Sequence, residues 1–400
     1  MNLLLIVRRS LRQHLLSTII TALSIALAGG LLIAVWVIKA ESQSAFTQVN
    51  SGFDAVLGAR GSKLQLVLNA IFHLEASPGN VPQADYQFIK HHPAVKRAIP
   101  LAVGDNLRGY RIVGTDPELF TDIEYAPGKK FTFAAGHLWA DGAKEAVVGS
   151  FAAQKLGLKP GDMFHPFHGL SYDERNQHAE TYVVAGVLAP SNTPIDKVVW
   201  IPLHGIQTMS GHDPKTATDV SAVLIQLRAA GAGFQLDLMY NKQGNRLTFA
   251  YPIAAIMGDL FAKIGWFDRV LALVAYLVAL VATFCVFVAI YNSMSARQRD
   301  IAILRSLGAR RRTVFSAIIL EAAAIGTFGM LGSAFVYGAI VSSAAAVIRA
   351  QTGVLLDPWF VHPVMLWAPG GMITLCALGG VLPAWKAYRT DIAATLAPVS

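Results

Sequence analysis

The chain has 400 residues, of which 54% are hydrophobic and only 14% are charged, and its formal net charge is +8. Disordered proteins carry more charge than this, and two cysteines are too few for a disulfide-stapled secreted scaffold. The composition is typical of an integral membrane protein.

The first apolar stretch follows Arg8, Arg9 and Arg12 and has no charged residue from Leu15 to Ile38. Such a segment is either a cleaved signal peptide or a retained membrane helix. Its apolar run is longer than a signal-peptide core, which favours the retained helix. Three further stretches can cross a hydrocarbon core roughly 30 Å thick, because about 20 helical residues suffice. They cover residues 270–296, 313–348 and 361–385.

Basic residues predict the orientation, because lysine and arginine in short loops stay in the cytoplasm. The loop 297–312 carries six arginines and one aspartate, whereas the long segment 39–269 carries equal numbers of basic and acidic residues. We expect a multi-pass membrane protein with both termini cytoplasmic and the long segment extracytoplasmic. The basic excess is then a topology signal, and nucleic acid is not an expected partner.

The predicted fold is an α-helical membrane protein with four transmembrane helices, plus a mixed α/β extracytoplasmic domain inserted between helices 1 and 2. Helical patterns continue from helix 1 to Val49 and lead into helix 2 from Ile253, which predicts two stalk helices. The expected divisions are 1–14 (cytoplasmic N-terminal segment), 15–39 (helix 1), 40–269 (extracytoplasmic domain with stalks), 270–296 (helix 2), 297–312 (cytoplasmic loop), 313–348 (helix 3), 349–360 (short extracytoplasmic link), 361–385 (helix 4) and 386–400 (cytoplasmic tail).

Within the long segment, β-branched runs between turn residues predict strands, and apolar residues at helical spacing predict helices. We expect the stripe that includes Leu64, Val67 and Ile71 to pack against the domain's own sheet rather than to form an exposed binding surface. Strands are predicted at Arg108–Val113, Glu145–Val148, Tyr182–Leu188, Lys197–Ile201 and Ala222–Leu227, and helices at Ser62–Leu74, Gln83–His91 and Phe151–Leu156.

Glycines in the last two apolar stretches predict how those helices pack. Gly326, Gly329 and Gly332 form a strip of small residues that lets another helix approach closely. Gly379 and Gly380, just before Pro383, predict a bend in helix 4.

Three segments carry a family resemblance. The run from Arg297 to Thr313, RQRDIAILRSLGARRRT, with Leu320-Glu321-Ala322 and Gly326 behind it, resembles the signature loop of the FtsX/MacB-like permeases of ABC transporters. The run from Pro383 to Leu396 resembles the end of such permeases, except that Ile392 stands where proline is common. The segment Glu145–Asp162 is similar to the family's periplasmic core domain.

The resemblance implies a protein of the bacterial inner membrane, whose long segment 40–269 is periplasmic and whose loop 297–312 couples it to an ATPase. It also implies several partners. Two permease copies pair, each binds a cytoplasmic ABC ATPase subunit, and a periplasmic adaptor or binding protein is a further candidate. The chain itself contains no G-x-x-x-x-G-K-[ST] loop, so we expect ATP and Mg²⁺ on the partner ATPase and no cofactor here. A metal or haem would enter only as a substrate.

The loop after helix 2 also has the chemistry of a docking helix. Ile301, Leu304 and Leu307 fall on one helical face, and arginines crowd both ends, so the loop can dock in a groove of an ATPase. The alternative is a positively charged loop held at lipid headgroups. The predicted coupling residues are Arg297, Arg299, Ile301, Leu304, Arg305, Leu307, Gly308 and Arg310.

Two further sets of residues are candidates for polar chemistry. Glu321 is an acid inside a predicted span, and we favour a structural bond to loop arginines or to a neighbouring helix over a proton relay. His165, His168 and His178 are weak candidates for a metal or haem site, with dispersed structural histidines as the alternative.

The expected function is the permease subunit of an ABC transporter, which transmits ATPase-driven motion to a periplasmic domain in order to export, extract or relay a substrate. The alternative is an ATPase-coupled signalling scaffold that activates a periplasmic partner without transport. We do not expect an enzyme, because neither G-x-S-x-G nor H-E-x-x-H occurs in the chain.

Overall fold

The computed structural model describes residues 3–48, 51–210, 217–296, 302–303, 305–306, 308–357 and 360–389. The chain divides into two units. The helical unit draws on Met1–Ser42, Ile264–Ala345 and Asp357–Ser400, and the sheet unit on Gln43–Lys263 and Ala346–Leu356.

Helices make up the first unit and flank the sheet in the second. In chain order they are α1 (Leu3–Gln13), α2 (Leu15–Gln48), α3 (Lys63–Ala70), α4 (Gln83–Lys90), α5 (Glu118–Thr121), α6 (Ser150–Leu156), α7 (Leu203–Gln207), α8 (Ala230–Asp237), α9 (Ile253–Ala296), α10 (Arg311–Thr352), α11 (Val364–Gly379) and α12 (Val381–Arg389).

Among the described residues, four segments are helical, long and apolar enough to cross a membrane, as predicted. They are Leu15–Gln48, Ile253–Asn292, Arg311–Thr352 and Val364–Arg389. The last segment is interrupted at Gly380, between α11 and α12, next to the position where the sequence predicts a bend. The predicted stalks are also helical, since α2 runs on to Gln48 and α9 begins at Ile253.

Small residues set the packing of the helical unit. A Cβ atom on Gly329 of α10 would lie 2.5 Å from the Cβ of Ile25 on α2, and one on Gly29 would lie 2.6 Å from the Sδ of Met330. A side chain at Gly329 would therefore push α2 and α10 apart, because it would also meet the backbone oxygen of Ala22 at 2.9 Å. The close approach predicted for the glycine strip is confirmed.

Strands build the second unit. They are β1 (Ala55–Ala59), β2 (Val95–Leu107), β3 (Tyr110–Thr115), β4 (Glu124–Ala126), β5 (Lys129–Lys130), β6 (Phe133–Gly136), β7 (Glu145–Val148), β8 (Met163–Phe164), β9 (Phe167–His168), β10 (Tyr182–Leu188), β11 (Val199–Pro202), β12 (Ala222–Leu227) and β13 (Leu247–Ala250).

One sheet contains eleven of these strands, in the order β13-β1-β12-β2-β3-β11-β7-β10-β6, with β8 paired to β10 and β9 to β2. The neighbours run antiparallel except in two pairs, β3 with β11 and β7 with β10, which are parallel. The mixed α/β domain predicted from the sequence is therefore present.

The core of the sheet unit includes the helix stripe identified in the sequence. Val67 and Ile71 are buried, and Leu64 packs against the same core, so the stripe faces the sheet as expected. The helix is shorter than predicted, because α3 ends at Ala70. Two predicted strands are shifted along the chain, to β3 and β11, while β7, β10 and β12 have the predicted bounds.

Candidate functional site

The predicted coupling loop is described in part. Arg297, Arg299, Ile301, Leu304 and Leu307 lie outside the described residues. Of the described residues here, Ala302 is buried and Ile303 is 43% exposed. The loop then turns at Gly308, whose φ is +97° and whose N–H donates to the carbonyl of Arg305 at 3.1 Å. Glycine suits this left-handed conformation because it has no side chain to clash.

The turn leads into α10 through a basic stretch. The carbonyl of Arg310 accepts a hydrogen bond from the N–H of Thr313 at 2.9 Å, which starts the helix. The Cζ of Arg311 lies 5.6 Å from the ring centroid of Tyr388 on α12. Cation–π contacts of this kind are worth about 0.5–1 kcal/mol when exposed. The contact places the side chain of Arg311 against α12.

A second pair of residues ties α12 to α9 at the same end. The Nζ of Lys386 lies 4.2 Å from the ring centroid of Tyr291 and donates to its hydroxyl at 2.7 Å. The end of α12 is thereby linked to α10 through Tyr388 and Arg311, and to α9 through Lys386 and Tyr291.

Glu321 contacts a helix that the sequence did not predict. α1 is amphipathic, with Val7 and Ser10 buried and Arg8 and Arg9 exposed. The hydroxyl of Ser10 donates to the carboxylate of Glu321 on α10. A buried carboxylate in a span needs such a donor, because water is not available to solvate it.

The stalk part of α2 packs into the core of the sheet unit. The ring of Phe46 lies 5.2 Å from that of Phe72, which follows α3, and 5.9 Å from that of Phe261 on α9. Nearer the apolar part of the two helices, the Nζ of Lys39 lies 3.5 Å from a carboxylate oxygen of Asp268. The stalks of α2 and α9 therefore contact each other through apolar and ionic pairs.

The far end of α10 also belongs to the sheet unit. This helix runs to Thr352, so the predicted link after it is shorter than expected. The Nζ of Lys197 donates to the carbonyl of Gln351 at 2.5 Å, and the Cζ of Arg349 lies 5.6 Å from the ring centroid of Phe151. Gly353, with φ +77°, turns the chain against Pro194.

The three candidate histidines do not form one cluster. The Nε2 of His178 lies 3.0 Å and the Nδ1 of His168 lies 3.3 Å from the same carboxylate oxygen of Asp105. The Nδ1 of His165 instead lies 3.1 Å from the carbonyl of Glu180. Asp105 was not among the residues predicted from the sequence, because the strand β2 that carries it was not predicted.

A cavity of about 530 Å³ in the sheet unit is lined in part by the basic side chains of His73, Arg111 and Lys197. Burial lowers the pKa of Lys197, and the neighbouring charge of Arg111 lowers it further. Burial, followed by the charges of Arg111 and Lys197, lowers the pKa of His73 to about 3. The imidazole of His73 is therefore neutral at physiological pH.

The helical unit contains an apolar cavity of about 450 Å³ between α2, α9 and α11. Leu32 of α2, Phe284 of α9 and Trp367 of α11 are among the residues that line it. The lining offers few hydrogen-bonding groups, so the cavity suits an apolar ligand.

Residues 18–232 match the family described as "MacB-like periplasmic core domain", and residues 272–392 match "FtsX-like permease C-terminal". The chain is 22% identical over 361 residues to the "Lipoprotein-releasing system transmembrane protein LolC" of Haemophilus influenzae, which covers 85% of this chain and 87% of that protein. Among solved structures, the periplasmic region of MacB from Actinobacillus actinomycetemcomitans matches with a TM-score of 0.35 at 9% identity, over 55% of this chain and 94% of that one.

Proposed function

The chain belongs to the FtsX/MacB-like family of ABC transporter permeases, and we propose that it transmits the motion of a cytoplasmic ATPase to a periplasmic α/β domain inserted between its first two membrane helices. It is a multi-pass inner-membrane protein, and permeases of this family are not themselves ATPases. Both termini and the loop around Arg305 face the cytoplasm in this proposal, and two permease copies pair.

The observation that carries the proposal is the way the membrane helices end. Ala45 and Phe46 of α2 and Met257 and Phe261 of α9 pack with the core of the sheet unit, as does Val354 just beyond α10. These side chains belong to the domain's own core rather than to a flexible tether.

Each of these three helices has residues in both units, since α2, α9 and α10 continue from the apolar segments without a break. A continuous helix transmits a displacement along its length, whereas a glycine-rich linker would absorb it. A movement imposed at the cytoplasmic ends would therefore reach the sheet domain.

At the ends proposed to be cytoplasmic, α9, α10 and α12 are linked to one another. The contacts of Arg311 with Tyr388 and of Lys386 with Tyr291 tie three helix ends around the loop. An ATPase that binds the loop then acts on these helices together. Arg305, Gly308 and Arg310 are the described members of the proposed coupling set.

We propose a lipid-modified protein as the cargo class. The relative from Haemophilus influenzae carries the name of a lipoprotein-releasing system. The apolar cavity between α2, α9 and α11 has the chemistry that an acyl chain requires. A periplasmic adaptor or binding protein would then receive the cargo at the sheet domain.

The proposal is tested with the permease and its ATPase reconstituted together in proteoliposomes. Phe46→Ala removes the ring that packs between Phe72 and Phe261, and Phe88→Ala removes an exposed ring of the same unit as the control. We expect Phe46→Ala to retain ATPase binding and ATP hydrolysis but to lose release of a lipidated peptide, with Phe88→Ala unchanged.

Full cargo release by Phe46→Ala would contradict transmission through the stalks. Release that continues with a hydrolysis-deficient ATPase would contradict transport driven by this pair. If the reconstituted complex moves no lipidated peptide but activates a bound periplasmic protein in an ATP-dependent manner, the protein is a signalling scaffold and not a transporter subunit.

A further inference from the structure

Asp105, His168 and His178 bring three ligand atoms together on the sheet unit. The atoms lie within 4.8 Å of one another, and one carboxylate oxygen is 3.0 Å from the Nε2 of His178 and 3.3 Å from the Nδ1 of His168. Tetrahedral Zn²⁺ with bonds of about 2.1 Å keeps its ligand atoms about 3.4 Å apart. The two distances from the carboxylate oxygen are close to that value.

The backbone fixes where these ligands stand. Asp105 on β2 and His168 on β9 are paired across the two strands. The N–H of Gly169 donates to the carbonyl of Gly104 at 2.8 Å, and the N–H of His178 donates to the carbonyl of Pro166 at 2.9 Å. A site whose ligands are held before the ion arrives binds it with less loss of conformational entropy.

The residue next to Asp105 supports the same arrangement. The side-chain amide of Asn106 is buried and donates to the carbonyls of Gly169 at 2.8 Å and Ser171 at 3.2 Å. These bonds hold the chain that follows His168 against β2. Partners of this kind orient the primary ligands in metal sites.

Burial and charge favour a cation here. Asp105 has no exposed surface and His178 is buried, whereas the side chain of His168 is 54% exposed. Zn²⁺ binds carboxylate oxygens and imidazole nitrogens, and the exposed side of His168 gives an ion access to Asp105 from solvent.

We propose that Asp105, His168 and His178 bind one Zn²⁺ ion, with water in the remaining position. Two imidazoles and one carboxylate are a ligand set that Zn²⁺ prefers, and Ca²⁺ or Mg²⁺ would be expected to favour oxygen ligands alone. The ion would fasten the segment from His168 to His178 to β2. This inference is independent of the transport proposal.

The test uses the full chain in detergent with a streptavidin-binding tag, since a polyhistidine tag would bind the metal itself. After removal of metal with a chelator, Zn²⁺ is titrated in competition with a chromogenic chelator, and Co²⁺ is used as a spectroscopic probe. We expect one equivalent of each ion and visible Co²⁺ absorption of a tetrahedral N/O site.

The deciding variant is His168→Gln, because this half-exposed side chain can change without disturbing the core. We expect its Zn²⁺ affinity to be at least tenfold lower than that of the wild type, and the affinity of Asp105→Asn to be lowered by at least the same factor. His165→Gln is the matched control, since His165 lies on the same segment outside the cluster. Zn²⁺ should raise the unfolding temperature of the wild type and of His165→Gln but not of His168→Gln.

The proposal is overturned if the wild type binds less than one equivalent of Zn²⁺ at micromolar concentration. It is equally overturned if His168→Gln binds as tightly as the wild type, or if His165→Gln weakens binding as much as His168→Gln. Any of these three results leaves Asp105 and the two histidines without a bound ion at this position.

Discussion

Ser10 on α1 donates a hydrogen bond to Glu321 on α10, and both side chains are buried. The residues are 311 positions apart in the sequence, so this bond closes the helical unit between its first helix and its third apolar helix. The acid inside the span contacts the amphipathic helix that precedes the first span.

We expect Glu321→Ala to destabilise the protein by about 1–3 kcal/mol, because it removes the acceptor of a buried hydrogen bond. Glu321→Gln keeps an acceptor oxygen and should retain most of the stability. Thermal unfolding in detergent measures both effects. If Glu321 instead relays protons, Glu321→Gln will remain folded and lose cargo movement.

The partner variant tests whether the two residues act through each other. Ser10→Ala and Glu321→Ala should not add in the double variant, since each removes the same bond. Fully additive losses of stability would contradict a direct coupling between the two side chains.

A second prediction concerns the contact between α2 and α10. Gly329→Ala would bring a Cβ to 2.5 Å from the Cβ of Ile25 and 2.9 Å from the carbonyl oxygen of Ala22. Because one of these atoms is backbone, the helices must separate, and we expect a loss of about 1–3 kcal/mol. Gly338→Ala on the same helix is the control, since a Cβ there meets nothing within 4 Å.

The measurement is thermal unfolding of the purified variants in one detergent. Gly338→Ala should equal or exceed the wild type in stability, because alanine favours a helix more than glycine does. Equal unfolding temperatures for the two variants would show that α2 and α10 are not packed through Gly329.

A third prediction concerns the coupling loop. Leu304 and Leu307 lie outside the described residues, and their proposed role rests on the helical spacing of the sequence. Replacing both with Asp should abolish stimulation of the ATPase and weaken its binding, because charged side chains cannot occupy an apolar groove. Ser306→Asp adds a charge at an exposed position of the same loop and serves as the control.

Co-purification and ATPase assays check this prediction. Normal ATPase binding and stimulation with both leucines replaced would contradict docking through this helical face. Equal loss in Ser306→Asp would indicate that charge in the loop, rather than the apolar face, governs the interaction.

The sequence predicted the elements whose local pattern agrees with the fold. The strands Glu145–Val148, Tyr182–Leu188 and Ala222–Leu227 have their predicted bounds because β-branched runs end at turn residues. The four spans are equally readable, since their length and lack of charge reflect the thickness of the bilayer.

The strand β2 could not be predicted in this way. It contains Pro100 and Gly104, residues that normally argue against a central strand. Pro100 nevertheless pairs with Val223, and its carbonyl accepts a bond from the hydroxyl of Thr115 at 2.9 Å. The register shifts between Val103 and Asp105, so Gly104 lies in a bulge that re-aims the strand.

The candidate site residues show the same limit. His165 and His168 are three residues apart, and the sequence gives no reason to separate them. Only the pairing of β9 with β2 sets His168 beside Asp105 and leaves His165 near Glu180. Which residues meet is therefore decided by strand register, which the local sequence does not encode.

The last prediction uses the titration of His73, whose ring is only partly exposed and packs 5.5 Å from the ring of Trp200. In the fold its pKa is lowered from 6.5 to about 3, first by burial and then by Arg111 and Lys197. Above pH 6.5 the histidine is mostly neutral in both states, so its contribution to stability is fully present. Between pH 6.5 and 3 the unfolded chain takes up a proton that the folded protein excludes, and stability is lost as the pH falls.

His73→Asn removes this titration while suiting the left-handed backbone at this position, where φ is +54°. The wild type should therefore lose more stability than the variant as the pH falls, by about 1.4 kcal/mol for each pH unit well below 6.5. The measurement is the free energy of unfolding of both proteins from pH 7.5 to pH 5. Taking the difference between the two proteins at each pH cancels the contributions of the titrating groups that they share. Parallel profiles would mean that His73 takes up its proton over the same pH range in the folded and unfolded states, so that burial beside Arg111 does not keep its imidazole neutral.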